Sequence, residues 1–302
     1  MKRGLLLAFL LTSAIAQAQW RWDFGGQMGV SNYLGDIGGK DKDRRDFIAD
    51  MKLSKTRWNF GGFARYKWLP KISFKAGLEY LRIEGNDALS TNLGRMFRNF
   101  NFRNDIYDFS LTAEYFFYEN NDLGGTYRYR HNFRCYVFAG GGAFYSNPKT
   151  FYRGQWVALQ PYATEGVSYH KFNLSVPMGI GFYFTINKMH RLGFEMNYRK
   201  TFTDYLDDIS GNYPSDPGND YERGLVLRTL EIDPTLASEY PGVYNSHTWG
   251  QKRGDKTNKD SYMTMAFSYS YVIRGKSSFY RNKNTSFFTK KYRRGRKIRA
   301  KF

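Results

Sequence analysis

The sequence predicts an all-β chain: an eight-stranded antiparallel up-and-down transmembrane β-barrel with long outside loops and a basic C-terminal tail. Three observations carry this. The chain opens with an export signal. Eight segments alternate apolar and polar residues with the period of a strand. The links between them switch between short and long, as in barrels with short periplasmic turns and long outside loops.

The export signal begins with Lys2 and Arg3, followed by a mostly apolar run over residues 4–15 and the small-x-small pattern Ala16-Gln17-Ala18. The run is too short for a spanning helix, which needs roughly 20 residues. Cleavage after Ala18 leaves Gln19, not a cysteine, as the first mature residue, so no lipoprotein anchor is expected. Beyond Ala18 no apolar stretch has the length of a spanning helix. The remaining structure that pairs every backbone group in lipid is a closed barrel. The expected organisation is a signal peptide over 1–18, a barrel over 19–273 and a tail over 274–302. The expected location is the outer membrane, with its lipid as the surrounding partner.

Composition agrees. Aromatic residues make up 19% of the 302 residues, and there are 30 glycines. Membrane barrels carry aromatic girdles at both interfaces. Cys135 is the one cysteine, so no internal disulfide forms, and it reads as a packed strand residue.

The alternating segments lie over 22–31, 64–68, 72–80, 108–117, 136–144, 174–184, 192–199 and 263–273. Leu69-Pro70-Lys71 and residues 187–190 are short turns. The link over 119–132 reads as a turn longer than the rule predicts. The polar phase of these strands carries Arg65, Lys67, Lys75 and Arg199 together with Asp23, Glu79, Asp108, Glu114 and Glu195. An eight-stranded barrel is filled by its side chains, and buried charges are costly unless paired. A closed lumen plugged by a charge network is therefore expected, not a solute pore. A soluble barrel that turns its apolar face inward is the alternative. Charges on five of the eight strands and aromatic residues at strand ends favour the membrane orientation.

Little points to chemistry. His131, His170, His190 and His247 have no partner at metal-ligand spacing, so no metal or cofactor is expected. Ser168-Tyr169-His170 sets a hydroxyl near an imidazole without a supporting carboxylate, so no enzyme is expected. Two acidic stretches follow strand ends on the loop side, Asn32-Tyr33-Leu34-Gly35-Asp36 and Thr203-Asp204-Tyr205-Leu206-Asp207-Asp208-Ile209-Ser210-Gly211. The first and seventh strands both neighbour the eighth, so the two stretches can meet. Turn formation by Asp and Gly is preferred over calcium binding. The fourth loop carries turns near Tyr213 and a helix start at Asp233.

The tail holds 12 basic residues and no acid, including Lys290, Lys291, Arg293, Arg294, Arg296 and Lys297. Such a tail would suit nucleic acid by composition, but export excludes that partner. Interspersed aromatics such as Phe287, Phe288 and Tyr292 favour docking on an acidic periplasmic protein over lipid headgroups or a solvated tail.

The export signal, Tyr33, Gly35 and Asp36 after strand one, and Asp204, Tyr205, Asp207, Asp208 and Gly211 after strand seven resemble the PorG-like outer-membrane barrels of the type IX secretion system. The resemblance implies a non-enzymatic accessory that anchors periplasmic lipoprotein and ring subunits to the outer membrane. A stand-alone OmpX-like surface barrel, acting in adhesion or envelope integrity, is the competing expectation.

Overall fold

The computed structural model describes residues 22–35, 37, 53–126, 129–215 and 218–273, with only the backbone described over 121–131. The expected signal peptide over 1–18, Asp36 and the tail with Lys290 to Lys297 lie outside the described residues.

Ten strands form one sheet: β1 (Trp22–Leu34), β2 (Arg57–Leu69), β3 (Ile72–Asn86), β4 (Asn101–Thr126), β5 (Tyr129–Tyr145), β6 (Lys149–Tyr152), β7 (Gln155–Ala158), β8 (Phe172–Ile186), β9 (His190–Thr201) and β10 (Ser261–Val272). Eight of them close a barrel in the order β3-β2-β1-β10-β9-β8-β5-β4, sealed by β3 pairing with β4. All pairs are antiparallel. The eight predicted segments are these eight strands. The β6–β7 hairpin joins β4 above the barrel through Arg103 and Lys149.

Register sets the stagger. From Asp23 the pairs run through Arg65, Lys75, Thr112 and the β5–β8 seam to Arg199 and Tyr262. They return to β1 at Tyr33, ten residues along the strand. A closed barrel needs such a stagger, and it tilts the strands by about 40°.

The tight turns follow local chemistry. Asn187 and Lys188 both take positive φ, 51° and 58°, the backbone that lets a hairpin turn follow the strand twist. Pro70, which cannot donate to a ladder, ends β2. The link over 119–132 corrects the sequence reading. It is no long turn, because β4 continues to Thr126 and pairs with β5 down to Tyr129. The hairpin extends past the neighbouring strands, with register shifts after Phe116 and Asn120. A bulge re-aims side chains, here placing Phe117 and Tyr118 both outward, and it broke the alternation that marked the strand end.

The outward face is apolar. Met28, Leu78, Leu111 and Phe267 are 56–70% exposed around mid-barrel. An apolar band encircling a protein far exceeds the few hundred Å² tolerated on a soluble monomer. Rings line both edges of the band. At the loop end Trp58, Tyr80, Tyr107, Tyr145 and Phe172 follow one another in contact at 5.1–6.5 Å. At the turn end lie Trp22 with Tyr66, Trp68 with Phe74, and His190 with Tyr271. Trp58 and Trp68 stand ten residues apart on β2. That is roughly 25 Å along the axis at about 3.3 Å per residue and the tilt above, the height of a lipid-facing band. Among the described residues no helix is long and apolar enough to cross a membrane.

Leu111→Arg, on this band, is expected to cost about 2–4 kcal/mol of folding stability in lipid vesicles. Phe172→Arg, at its edge, should cost less than about 1 kcal/mol. Denaturant titrations of vesicle-folded protein measure both.

Candidate functional site, the plugged lumen and its cap

The barrel interior is built in layers. Nearest the turn end, Phe116, Tyr136, Phe138 and Tyr183 form a buried aromatic cluster. Arg65 threads it, its guanidinium 5.2–5.5 Å from the rings of Phe63, Tyr136 and Tyr183. The same guanidinium reaches Glu114 at 2.8 Å, Asp23 at 3.2 Å and Glu195 at 3.3 Å. Lys75 meets Glu195 at 2.6 Å and Arg191 meets Asp23 at 2.6 Å. Tyr136 donates to Glu195 at 2.5 Å. Three cations thus face three carboxylates across five strands. Gly181 makes room for this packing, since a Cβ there would lie 2.7 Å from the Tyr136 ring and 2.9 Å from Glu195 Cγ.

A second network lies one level higher. Arg199 meets Glu79 and Asp108, each at 2.7 Å. Asn59 donates to Glu79 and Tyr262 to Asp108, both at 2.6 Å. Between the networks is a cavity of about 20 Å³, space for about one water. Lys67 differs from its companions. It is half-buried near the turn end and joins no salt bridge among the described residues. The strand tilt carries it below the layer of carboxylates.

Over the upper network the interior turns apolar. Leu81, Ile83, Ile106 and Phe144 from the strands pack with Phe100, Leu159, Leu206 and Ile209 from the loops. Leu206 and Ile209 belong to the acidic stretch after β9, so this stretch stoppers the barrel.

The stopper is fastened by charge and backbone. The Tyr33 hydroxyl on β1 bridges two carboxyl groups, 2.6 Å from Asp207 and 2.7 Å from Asp260. Asp260 also accepts the Leu206 amide at 3.1 Å. Gly35 leaves room for that contact, because a Cβ there would fall 2.0 Å from the Tyr33 hydroxyl. Asp208, at a positive φ of 70°, accepts from Thr164 and from Tyr169, the latter at 2.6 Å. Tyr205 stacks on Tyr169 at 4.6 Å. Arg253 is fully enclosed. It donates to the Asp208 carbonyl at 2.8 Å and to Thr164 at 3.0 Å, and pairs with Glu165 at 3.2 Å. Glu165 accepts the amides of Ser210 at 3.0 Å and Gly211 at 2.7 Å. Asp204 is buried at the start of the stretch. The two acidic stretches do meet, through Tyr33.

The helices of the cap are short. Among the described residues they are α1 (Leu93–Arg98), α2 (Asp220–Val226), α3 (Pro234–Glu239) and α4 (Pro241–Ser246). Asn92, Asn219 and Asp233 accept from the backbone at the first three N-termini. Arg98 ties α1 to the cap by pairing with Asp87 at 2.6 Å and donating to the Arg253 carbonyl at 2.8 Å.

Several partners escaped the sequence reading. Arg191 shares the polar phase of Glu195 and Arg199 and was legible from it. Tyr136 lies where Gly140-Gly141-Gly142 weakened the alternation. Glu165, Arg253 and Asp260 sit in loops, where periodicity gives no phase.

Residues 2–253 match the family described as Domain of unknown function (DUF6089). The chain belongs to that family. The match contains the stopper with Tyr33, Glu165 and Arg253, and ends before Asp260 and β10. No curated protein matches the sequence. Among solved structures the fold is similar to Ail, the attachment invasion locus protein of Yersinia pestis, at 10% identity and a TM-score of 0.35, covering 84% of this chain and 99% of that one. It is also similar to the N-terminal β-barrel domain of OprF from Pseudomonas aeruginosa, at 12% identity and a TM-score of 0.32, covering 85% and 100%. The outer membrane protein OprG from the same organism aligns at 9% identity and a TM-score of 0.35, covering 86% and 99%.

Two predictions follow from the geometry. Arg199→Met strands Glu79 and Asp108 in the lumen. It should cost about 3–5 kcal/mol, read as a lower denaturant midpoint of the detergent-folded barrel. Burial lifts the Asp208 carboxyl to about 6, against the pull of Arg253, Thr164 and Tyr169. The folded value lies above the unfolded one, so the contribution of neutral Asp208 is complete below about pH 4 and is lost as pH rises through about 6. Protection factors of the Ile209 and Ser210 amides should therefore fall between pH 4 and 7, by an amount on the order of 2–4 kcal/mol. Asp208→Asn should flatten that dependence.

Proposed function

We propose that this protein is an outer-membrane barrel that transports nothing through its lumen and works as an anchor at its two ends. One observation carries the reading. Two charge networks and an apolar stopper fill the interior from Arg65 to Ile209, leaving space for about one water between them. A role in passage is thereby disfavoured, and the surfaces beyond the membrane remain.

The finer reading is an accessory of the type IX secretion system that holds periplasmic lipoprotein and ring subunits at the outer membrane. Its support is the resemblance of the Tyr33–Gly35 and Asp204–Gly211 stretches to PorG-like barrels. In this protein those stretches fasten the stopper through Tyr33 and Asp207. On this reading the periplasmic contacts fall to the turns and to the tail over 274–302, with Lys290, Lys291, Arg293, Arg294, Arg296 and Lys297 as its docking cations.

A stand-alone surface role is the second reading. The observation that favours it is the ordered cap, in which Arg98, Arg253 and four short helices hold the long loops in place.

The test is affinity capture of full-length protein from gently extracted membranes, beside a chain ending at Ile273. Retention of periplasmic subunits by the full chain, and at least tenfold less by the shortened one, is the expected result. Capture of no periplasmic subunit by either form would leave the surface role. Deleting residues 213–252 should then remove the envelope phenotype while the tail is dispensable.

A further inference from the structure

Above the loop-end aromatic belt the outward surface changes from rings to cations. On β2 and β3, Arg57 pairs with Glu84 at 2.5 Å and Arg82 with Asp105 at 2.6 Å. Further round, Arg103, Lys149, Lys171 and Lys200 join no salt bridge among the described residues. Each is tied to the belt by position. Arg103 lies on the outward phase of β4, four residues above Tyr107, and its guanidinium rests 4.1 Å from the Trp156 ring. Lys149 is its partner across β4 and β6. Lys171 directly precedes Phe172, which is 76% exposed. Lys200 lies on the outward phase of β9 between Tyr198 and Phe202, the latter 63% exposed. Followed through the pairs, with the line rising ten residues per circuit, Arg103, Lys149 and Lys171 lie at one level above the belt, while Lys200 lies lower, among its rings.

We infer that this collar binds the phosphorylated headgroups of outer-leaflet lipid. The inference rests on the membrane placement proposed above. Aromatic belts mark the headgroup level, so the cations just beyond one meet whatever charge the headgroups carry. Long basic side chains keep their stems along apolar surface and extend their charged ends to the interface. Here the Arg103 guanidinium lies over the Trp156 ring. A phosphate takes charge-assisted hydrogen bonds from both guanidinium and ammonium groups. The collar spans β4, β6, β8 and β9, so its occupants are several lipids side by side and not one bound ion.

The probe is bisphosphorylated lipid A, added to detergent-folded full-length protein and counted as adducts by native mass spectrometry. Lipid A stripped of both phosphates, and inorganic phosphate alone, are the comparison arms. The test variant is Arg103→Gln, Lys149→Gln, Lys171→Gln and Lys200→Gln combined. The control is Lys71→Gln with Lys188→Gln, in the turns at the other end. Each cation near a charged lipid surface is worth about fivefold in affinity. The combined variant should therefore bind lipid A at least 100-fold more weakly, while the control binds like the parent. Heat-modifiable migration on gels reports that every variant is folded. Equal binding by the combined variant overturns the collar. So does equal binding of dephosphorylated lipid A, equal loss in the control, or full displacement of lipid A by inorganic phosphate. Insertion of the parent into vesicles is scored separately. A barrel that inserts but ignores lipid A refutes the collar alone, whereas failure to insert refutes the membrane placement as well.

Discussion

Arg199 stands between Glu79 and Asp108 with almost no exposure, and Arg65 stands likewise among Asp23, Glu114 and Glu195. These groups come from strands that are distant in sequence, and each needs its partner at hydrogen-bonding distance. An uncompensated charge in so narrow an interior costs several kcal/mol. The pairing therefore selects one register for the whole barrel. A slip of one residue turns a strand's polar phase toward lipid and its rings toward the lumen. Closure satisfies the backbone, but the charges specify which closure forms.

The same constraint reaches the loops. The upper network ends at Tyr262 and Asp108, and the apolar layer above it is completed by Leu206 and Ile209 from the loop after β9. Without these two side chains, Leu81, Ile83 and Ile106 would line an open mouth. Tyr33, Asp207, Asp208, Asp260 and Arg253 hold the stopper down. The acidic stretch thus works as a structural fastener, its carboxylates engaged by tyrosine, threonine, arginine and backbone amides. The barrel and its cap are one packed unit, and the surfaces left for partners are the rim, the cap exterior and the turn end.

The exterior is ordered by height. Rings line both edges of the apolar band, and cations follow beyond the loop-end rings. The cations Arg103 and Lys171 come from segments whose residue numbers give no hint that they share a level. The stagger of the closed barrel brings them there.

From the sequence alone came the strand period, the inward phase of Arg65, Glu79, Glu114, Glu195 and Arg199, and the alternation of short and long links. These are local properties, because a strand's two faces are written in consecutive residues. The extension of β4 to Thr126 was hidden by bulges, which shift the phase that periodicity follows. The tertiary structure decided which charge meets which. It also left Lys67 outside the networks, brought Tyr33 to Asp207 and made Leu206 a stopper. Those contacts join residues tens to hundreds of positions apart, and their geometry exists only once the stagger of a closed barrel has set the relative heights of its strands.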